Sequence, residues 1–204
     1  AEFRSLRDKV PPEPFEAVRR VVEAELGRPL GEVFESFDTS CLASASIAQV
    51  HAARLRTGES VVVKVQRGSV ERLVAKDIRA MAWIAPFLVG RIPVAALANP
   101  PALVELFAET ISEELDFRLE AESAERMARN FAGDPRVRIP YVVPEFTRAR
   151  VIVTEYLPGI RISDRARLER AGVDCAQVLD TLLGAHPQLA EAAAIEGASR
   201  WHFF

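Results

Sequence analysis

A lysine lies inside a run of valines in the first third of the chain. Lys64 follows Val61–Val63 and precedes Val65. An unbroken run of β-branched residues is typical of a strand that is buried on both faces. Because burying an unpaired ammonium group is strongly unfavourable, we expect an anion to meet the Lys64 side chain. The alternative is a lysine on a half-exposed edge strand.

A segment of small side chains comes before this lysine. Ala43, Ser44, Ala45 and Ser46 lead into the strand-like segment 47–52. A loop that approaches phosphate groups closely needs small side chains and available backbone N–H groups. Alanine and serine meet this need in part, and without glycine we expect a stiffer loop that holds phosphates in a different pose. The alternative is a small-residue turn that packs tightly under a helix.

Acidic residues with helical spacing could supply an anion for the lysine. Glu113, Asp116 and Glu120 are separated by three and four residues, so a helix would place them on one face. Glu114 lies beside that face. Acidic side chains mixed into an apolar helical stripe are expected to be paired, although for Glu113 and Glu122 we expect ordinary surface charges.

An apolar strand leads into a turn further along the chain. Val151–Val153 are followed by Thr154, Glu155 and Tyr156, and then by a Leu-Pro-Gly sequence. In a two-lobed kinase a strand of this kind leads into the hinge, whose backbone groups bind the adenine edge. Taken alone, a strand followed by a turn has many other uses. Combined with the lysine and the small-residue loop, it suggests the phosphate-holding half of a kinase-like nucleotide site.

The elements that must position these residues follow from the periodicity of the sequence. Helices are predicted at 15–26, 69–88 and 164–194, with a further helical stretch at 102–131 that is either two helices or one with a bend. Strands are predicted within 47–66, around a turn at 57–59, and at 137–141 and 151–156. Between the two middle helical stretches, 93–101 is predicted to be a linker. This order predicts an α+β domain with an antiparallel sheet and helices on one side.

Composition excludes several classes of protein. The chain has 204 residues, 49% hydrophobic and 27% charged, which is enough for a domain with its own core. A net charge of -3 gives no basic surface for nucleic acid. Cys41 and Cys175 lie far apart, without metal-ligand spacing, which indicates a reducing compartment. With no apolar run long enough to span a membrane and no signal-peptide pattern, we expect a cytoplasmic location.

Several of these motifs occur in an order that resembles a known family. Residues 41–55, together with Gly58 and 61–67, are similar to the UbiB/AarF/ADCK family of atypical protein-kinase-like proteins. Glu114-Leu115-Asp116-Phe117, followed by Glu120-Ala121-Glu122, resembles the ExD motif of that family and its helix. The similarity runs from about residue 6 to residue 164.

The resemblance implies a role for each matching position. Ala43, Ser44, Ala45 and Ser46 would form the alanine-rich loop over the phosphates of ATP. Lys64 would bind phosphate with Glu120 as its ion-pair partner, and Glu114 and Asp116 would be the ExD acids. Thr154 would be the gatekeeper, with Glu155 and Tyr156 at the adenine-binding hinge.

The resemblance also implies an organisation into three parts. These are an incomplete helical N-terminal extension at 1–36, a kinase-like N-lobe with inserted helices at 37–157, and a hinge exit with a partial, atypical C-lobe at 158–204. The fold would therefore be a kinase-like N-lobe plus the start of a truncated helical C-lobe.

The chain departs from the family pattern in ways that affect activity. A KxGQ motif is absent before residue 6, and Cys41 stands where proline is common. His186-Pro187 and His202 lack the neighbouring aspartate and asparagine of the catalytic loop, so we assign no catalytic residue and no metal ligand to this chain. Magnesium is expected with ATP in the full-length family, while this polypeptide is expected to be inactive.

Three possibilities from different classes remain open, and the last of them is an unrelated α+β binding domain in which the motifs are coincidental. The first is a fragment of an atypical kinase or ATPase, linked by the resemblance to isoprenoid-quinone or lipid metabolism, with nucleotide, membrane lipid or quinone-biosynthesis proteins as partners and a location at the membrane periphery. The second is a pseudoenzyme module that binds a protein partner or a membrane surface.

Overall fold

The computed structural model describes residues 10–89, 99–160 and 164–174. Within these ranges the helices are α1 (Phe15–Leu26), α2 (Leu30–Val33), α3 (Val70–Leu88), α4 (Pro100–Glu114), α5 (Phe117–Asn130) and α6 (Arg165–Arg170). The strands are β1 (Phe34–Ser44), β2 (Ala48–Leu55), β3 (Ser60–Gln66) and β4 (Val151–Glu155), with a 3₁₀ turn at Pro144–Phe146. The predicted α+β class with an antiparallel sheet is confirmed.

The four strands form one sheet in the order β1-β2-β3-β4, and all neighbours are antiparallel. The predicted β2–β3 hairpin is confirmed. Its turn contains Gly58, whose φ of 96° lies in the left-handed region that favours glycine. This arrangement makes β3 a central strand, bonded to β2 on one edge and to β4 on the other.

Two hydrophobic cores lie on opposite faces of the sheet. Val63 and Val153 belong to the larger core, which α1 covers with Val18 and Val22. Ile152 belongs to the second core, where α5 contributes Phe117 and Ala121. The expectation that helices cover one side only is therefore wrong. The physical reason is that β4 places apolar residues on both faces of the sheet, and each face needs its own cover.

Helix α1 agrees with its sequence pattern. It spans Phe15–Leu26, as predicted, and it ends at Gly27, whose φ of 69° forms a left-handed C-cap. The predicted helix at 69–88 is also confirmed, as α3. Val70 is buried, whereas Leu73 and Ile84 are about half exposed.

The longest helical stretch is two helices. Helix α4 ends at Glu114 and α5 begins at Phe117, with Asp116 as the N-cap of α5. The linker predicted at 93–101 extends too far at its C-terminal end. Pro100 and Pro101 instead form the first turn of α4, where proline is favoured. Residues 90–98 lie outside the described ranges.

The sequence reasoning missed β1 and predicted a strand that does not form. Strand β1 has few β-branched residues and pairs with β2 through three register shifts. The predicted strand at 137–141 is wrong, since only Val142 forms an isolated bridge, to Thr154. Pro140 interrupts this segment and has no N–H to donate.

The described residues divide into two compact units. One contains the residues up to Gly133 together with Ile139–Tyr156, and the other contains Asp134–Arg138 and the residues from Leu157. In the second unit, the predicted helix at 164–194 stops at Arg170 because Gly172 adopts a φ of 69°. The rest of that prediction, from residue 175, lies outside the described residues. Across the described ranges, no helix combines the length and apolarity that crossing a bilayer would need.

Candidate nucleotide-phosphate site

Lys64 lies in the middle of the sheet, paired with Val50 of β2 and Ile152 of β4. The alternative of an edge-strand lysine is therefore wrong. Because Val63 belongs to the core under α1, alternation directs the Lys64 side chain to the opposite face, where α5 packs. The side chain remains 30% exposed, so its ammonium group lies at the border of the core and is accessible to a solute.

Helix α5 contributes an anion and an aromatic ring that contact this ammonium group. The Lys64 Nζ donates to Glu120 Oε2 at 2.5 Å and lies 4.6 Å from the centroid of the Phe117 ring. Phe117 is the first residue of α5 and Glu120 follows one turn later, so the helical repeat places both on the side that meets β3. The sequence reasoning did not anticipate the ring, which attracts the cation from its face.

The acids of the ExD segment have different surroundings. Asp116 accepts hydrogen bonds from the backbone N–H of Arg118 and from its guanidinium group, with Nη2 to Oδ2 at 2.6 Å. The side-chain hydrogen bond from Arg118 is the main cause that lowers the pKa of Asp116. Glu114 is half-buried in the last turn of α4, and Glu113 and Glu122 are exposed, as expected. The structure therefore brings Glu120 to Lys64, while Asp116 caps α5.

The alanine-serine segment is the turn between β1 and β2. Ala43 and Ser44 end β1, whereas Ala45 and Ser46 lie in the turn, which is closed by a 2.9 Å bond from Ala45 N–H to the Ala48 carbonyl. Within the described part of the chain, the N–H groups of Ser46 and Ile47 and the Ser46 hydroxyl have no hydrogen-bond acceptor. These donors are suited to an anion such as a phosphate group.

The predicted hinge residues lie at the end of β4. Thr154 pairs with Val62, so register places it on the same sheet face as Lys64. The N–H groups of Glu155 and Tyr156 donate to the carbonyls of Tyr141 and Ser60, at 2.9 and 3.1 Å. These two N–H groups are therefore already engaged and are not available to an adenine edge.

A shallow cavity of about 440 Å³ lies beside the predicted hinge. Its lining includes Phe37, Ala52, Val61 and Tyr156, but not Lys64 or the alanine-serine turn. The concave surface at the hinge end and the phosphate-type donors at the other end are therefore separate features of the same sheet.

Comparison with known proteins places these features in a family. The model of the ABC1 atypical kinase-like domain matches residues 5–190, which is most of the chain. The chain belongs to the ABC1 atypical kinase-like family. This finding confirms the resemblance to UbiB/AarF/ADCK proteins.

Named relatives of the ABC1 domain support the same assignment. The chain is 40% identical over 172 residues to a probable protein kinase UbiB of Marinobacter nauticus, covering 84% of this chain and 31% of the relative. It is 39% identical over 174 residues to the chloroplastic protein Activity of BC1 Complex Kinase 1 of Arabidopsis thaliana, covering 85% of this chain and 26% of the relative. The chain thus spans about a third or less of the length of these curated relatives.

A solved structure shares the fold of this ABC1 domain. It is the complex of Rv3197 with erythromycin from Mycobacterium tuberculosis, with a TM-score of 0.70 and 32% sequence identity. The match covers 85% of this chain and 42% of the other. The kinase-like N-lobe fold predicted from the sequence is confirmed.

Two residues of the ABC1 domain that organise the site were missed by the sequence reasoning. Arg67 donates to the Ala45 carbonyl and the Ser44 hydroxyl of the turn, at 2.8 and 2.7 Å. Gln66 is 1% exposed, and its Nε2 donates to the Leu115 carbonyl at 3.0 Å. The available signal was their position: a polar residue at the end of the valine-rich strand, two residues after Lys64, and a cation immediately after that strand.

Metal-binding side chains are a further question for an ABC1 domain. Among the residues that the structure describes, no group of three or more His, Cys, Asp or Glu side chains could hold a metal ion. The unpaired N–H groups of the turn and the Lys64 ammonium fit the phosphates of ATP. They do not fit Mg²⁺, which prefers oxygen ligands.

Proposed function

We propose that this chain supplies the nucleotide-phosphate half of an atypical kinase or ATPase site that takes ATP. The observation that carries the proposal is the Lys64–Glu120 pair, joined at 2.5 Å between a central strand and the helix beside it. Thr154 lies on the same sheet face, and the donor-rich turn is at the end of the neighbouring strand. A strand lysine, its helix glutamate and a donor-rich loop are the parts that hold phosphates in protein kinases.

The proposed role of Glu120 is to orient the ammonium group. An ammonium group has three donors, and one of them is directed to Glu120. The remaining donors can reach phosphate oxygens without breaking that bond. The buried Phe117 ring restricts where the ammonium can move, so Lys64 is held ready for an anion.

The proposal includes weak binding and no meaningful turnover by this polypeptide alone. Phosphoryl transfer requires metal ions that neutralise the phosphates and an aspartate that positions the nucleophile. When bound, Mg²⁺ would supply that neutralisation, and no residue described here is assigned to hold it. The negative charge of the triphosphate would be stabilised mainly by Lys64, the N–H groups of Ser46 and Ile47, and the Ser46 hydroxyl.

The wider setting belongs to the proposal as well. A relative named UbiB suggests isoprenoid-quinone metabolism, and the family resemblance adds membrane lipid or quinone-biosynthesis proteins as partners at the membrane periphery. These expectations come from the relatives and not from any residue of the site.

ATP titration by calorimetry, with magnesium present, tests the proposal. Lys64→Ala should weaken ATP binding by about tenfold or more, since it removes a charge-assisted contact worth more than ~1.4 kcal/mol. Lys76→Ala is the matched control, because Lys76 is an exposed lysine on α3. Phosphate release should stay at the protein-free background for all three proteins.

Three outcomes would contradict parts of the proposal. Equal ATP affinity in the wild type and in Lys64→Ala would remove Lys64 from the site. Robust phosphate release that is lost in Lys64→Ala would overturn the expected inactivity. Absence of any ATP binding by the folded chain would favour the pseudoenzyme module instead.

A further inference from the structure

We propose that Arg67 is a positioning residue that sets the pose of the alanine-serine turn, and thereby its affinity for phosphate. This inference rests on the proposed function, because it assigns a determinant of phosphate recognition within the same site. Arg67 would act through the turn, without touching the nucleotide itself.

The geometry of the Arg67 side chain supports this role. Its Nε donates to the Ala45 carbonyl at 2.8 Å, and its Nη2 donates to the Ser44 hydroxyl oxygen at 2.7 Å. The backbone N–H of Arg67 donates to the Ile47 carbonyl at 2.9 Å. One residue thus holds the turn on both sides of Ser46.

These bonds decide which groups of the turn remain available to an anion. The Ala45 carbonyl, which would repel phosphate oxygens, is directed to a guanidinium group. The Ser46 and Ile47 N–H groups, between the two anchored positions, keep no acceptor among the described residues. The turn therefore presents N–H donors to an anion, while the adjacent Ala45 carbonyl is already hydrogen-bonded to Arg67.

The backbone conformation of the turn explains why side-chain contacts such as those of Arg67 are needed to set its pose. Glycine-rich phosphate loops use left-handed conformations that other residues rarely adopt. Among the described non-glycine residues, a positive φ occurs only at Asn99, so the turn is built from ordinary conformations. Besides the backbone bonds at Ala45 and Ile47, the pose of the turn is held by two side-chain hydrogen bonds, and Arg67 supplies both.

The Arg67 guanidinium also has an anchor outside the turn. Nη2 also donates to the Pro11 carbonyl at 2.9 Å. Two residues later, Glu13 accepts from the Gly68 N–H at 3.2 Å and from the Ser69 hydroxyl at 3.3 Å. The Glu13 N–H in turn donates to Gln49 of β2. This anchoring restrains Arg67 on the side away from the turn.

Arg67→Ala and Arg67→Lys test the inference when ATP, ADP and adenosine are titrated by calorimetry. We expect Arg67→Ala to weaken ATP and ADP binding by about tenfold, as for a lost charge-assisted contact, and to leave adenosine binding unchanged. Arg67→Lys should recover only part of this loss, because an ammonium group cannot reproduce the planar fork. Arg56→Ala is the matched control, since Arg56 Nε donates to the Gly31 carbonyl at 2.7 Å, away from the turn.

The possible results separate this inference from the proposed function. Wild-type ATP affinity in both Arg67 variants, with weakened binding in Lys64→Ala, would overturn the inference and leave the function standing. An equal loss for ATP and adenosine would also overturn it, because it would indicate a general structural role. If Arg67→Ala does not fold, Arg67→Lys carries the test by the same criterion. Absence of ATP binding in the wild type would overturn both.

Discussion

At the scale of single residues, Lys64 has two contacts that differ in their contribution to stability. Glu120 is 48% exposed, so its ion pair is well solvated, whereas Phe117 is 1% exposed within the second core. Exposed ion pairs contribute little to folding, because water screens the charges and both side chains lose entropy. The proposed role of the ion pair with Glu120 is therefore to orient the Lys64 side chain, and its contribution to the stability of the fold is small.

This difference predicts unequal effects on the free energy of unfolding. Glu120→Gln should reduce it by less than about 1 kcal/mol, whereas Phe117→Ala should reduce it by about 3–5 kcal/mol through lost burial and a cavity. Urea denaturation monitored by circular dichroism would measure both. Similar losses for the two variants would contradict this view of the site.

His51 makes the stability of the fold sensitive to acid. It is 1% exposed, its Nδ1 lies 2.9 Å from the Asp38 carbonyl oxygen, and its Nε2 has no hydrogen-bond partner among the described residues. Burial is the main cause that lowers the pKa of His51, and the contacts with Asp38 act in the opposite direction. Since a carbonyl only accepts, Nδ1 carries the proton of the neutral ring.

The sign of the resulting pH dependence follows from the lowered pKa. Below the ordinary histidine pKa of about 6.5, the unfolded chain binds a proton that the folded chain does not. The free energy of unfolding should therefore fall as the pH is lowered from about 6.5, by at most ~1.4 kcal/mol per pH unit, until the folded pKa is passed. His51→Phe, beside Phe15 and Phe37, should remove this part of the slope. Parallel slopes for the two proteins would show that His51 is not the cause.

At the scale of elements, Gln66 connects β3 to the junction between α4 and α5. Its Nε2 donates to the Leu115 carbonyl at 3.0 Å, and its Oε1 accepts from Arg150 at 3.1 Å. Gln66 is two residues from Lys64 on the same strand, so it holds the start of α5 beside the lysine. Both polar ends of this buried side chain are satisfied.

Replacing this glutamine should loosen α5 locally. Gln66→Met keeps similar volume but leaves the Leu115 carbonyl without its donor, which should lower the free energy of unfolding by about 1–3 kcal/mol. Relative to the wild type, native-state hydrogen exchange in Gln66→Met should accelerate more at the N–H groups of Phe117 and Ala121 than at those of α1. A uniform increase across both helices would argue against a specific link between β3 and α5.

The elements also show how far sequence reasoning extends. Helix α1 and the β2–β3 hairpin were predictable, because apolar periodicity and a turn glycine specify them locally. Strand β1 was not, since its sequence has few β-branched residues and its pairing depends on β2. The same distinction applies to the site: Lys64 was visible in its valine run, whereas the roles of Phe117 and Arg67 depend on contacts that only the folded chain brings together.

At the scale of the whole molecule, α3 and α4 expose an unusual amount of apolar surface. Trp83 is 70% exposed and Phe87 is 51% exposed on α3, while Leu106 is 59% exposed on α4. Large exposed apolar patches promote association or aggregation. Burial of Ala85, at 3% exposure, shows that the same helix also has a packed side.

A pair of substitutions on α3 should separate these two sides. Trp83→Lys should reduce binding of the dye ANS and slow aggregation, with a change in unfolding free energy within about 0.5 kcal/mol, as is usual at exposed positions. Ala85→Lys should destabilise the protein, because it places a charge at a buried position. Unchanged dye binding in Trp83→Lys would show that this surface is not the apolar patch that the dye detects.

The irregular pairing of β1 bears on how molecules of this protein behave when crowded together. β1 is the last strand on its side of the sheet, and its register shifts interrupt the regular alternation of donors and acceptors. On the other side, Tyr141 and Val143 already bond to β4. Within the described residues, neither border of this sheet offers a straight template onto which the backbone of a neighbouring molecule could add, so amyloid-like growth by edge-to-edge pairing at this sheet is disfavoured.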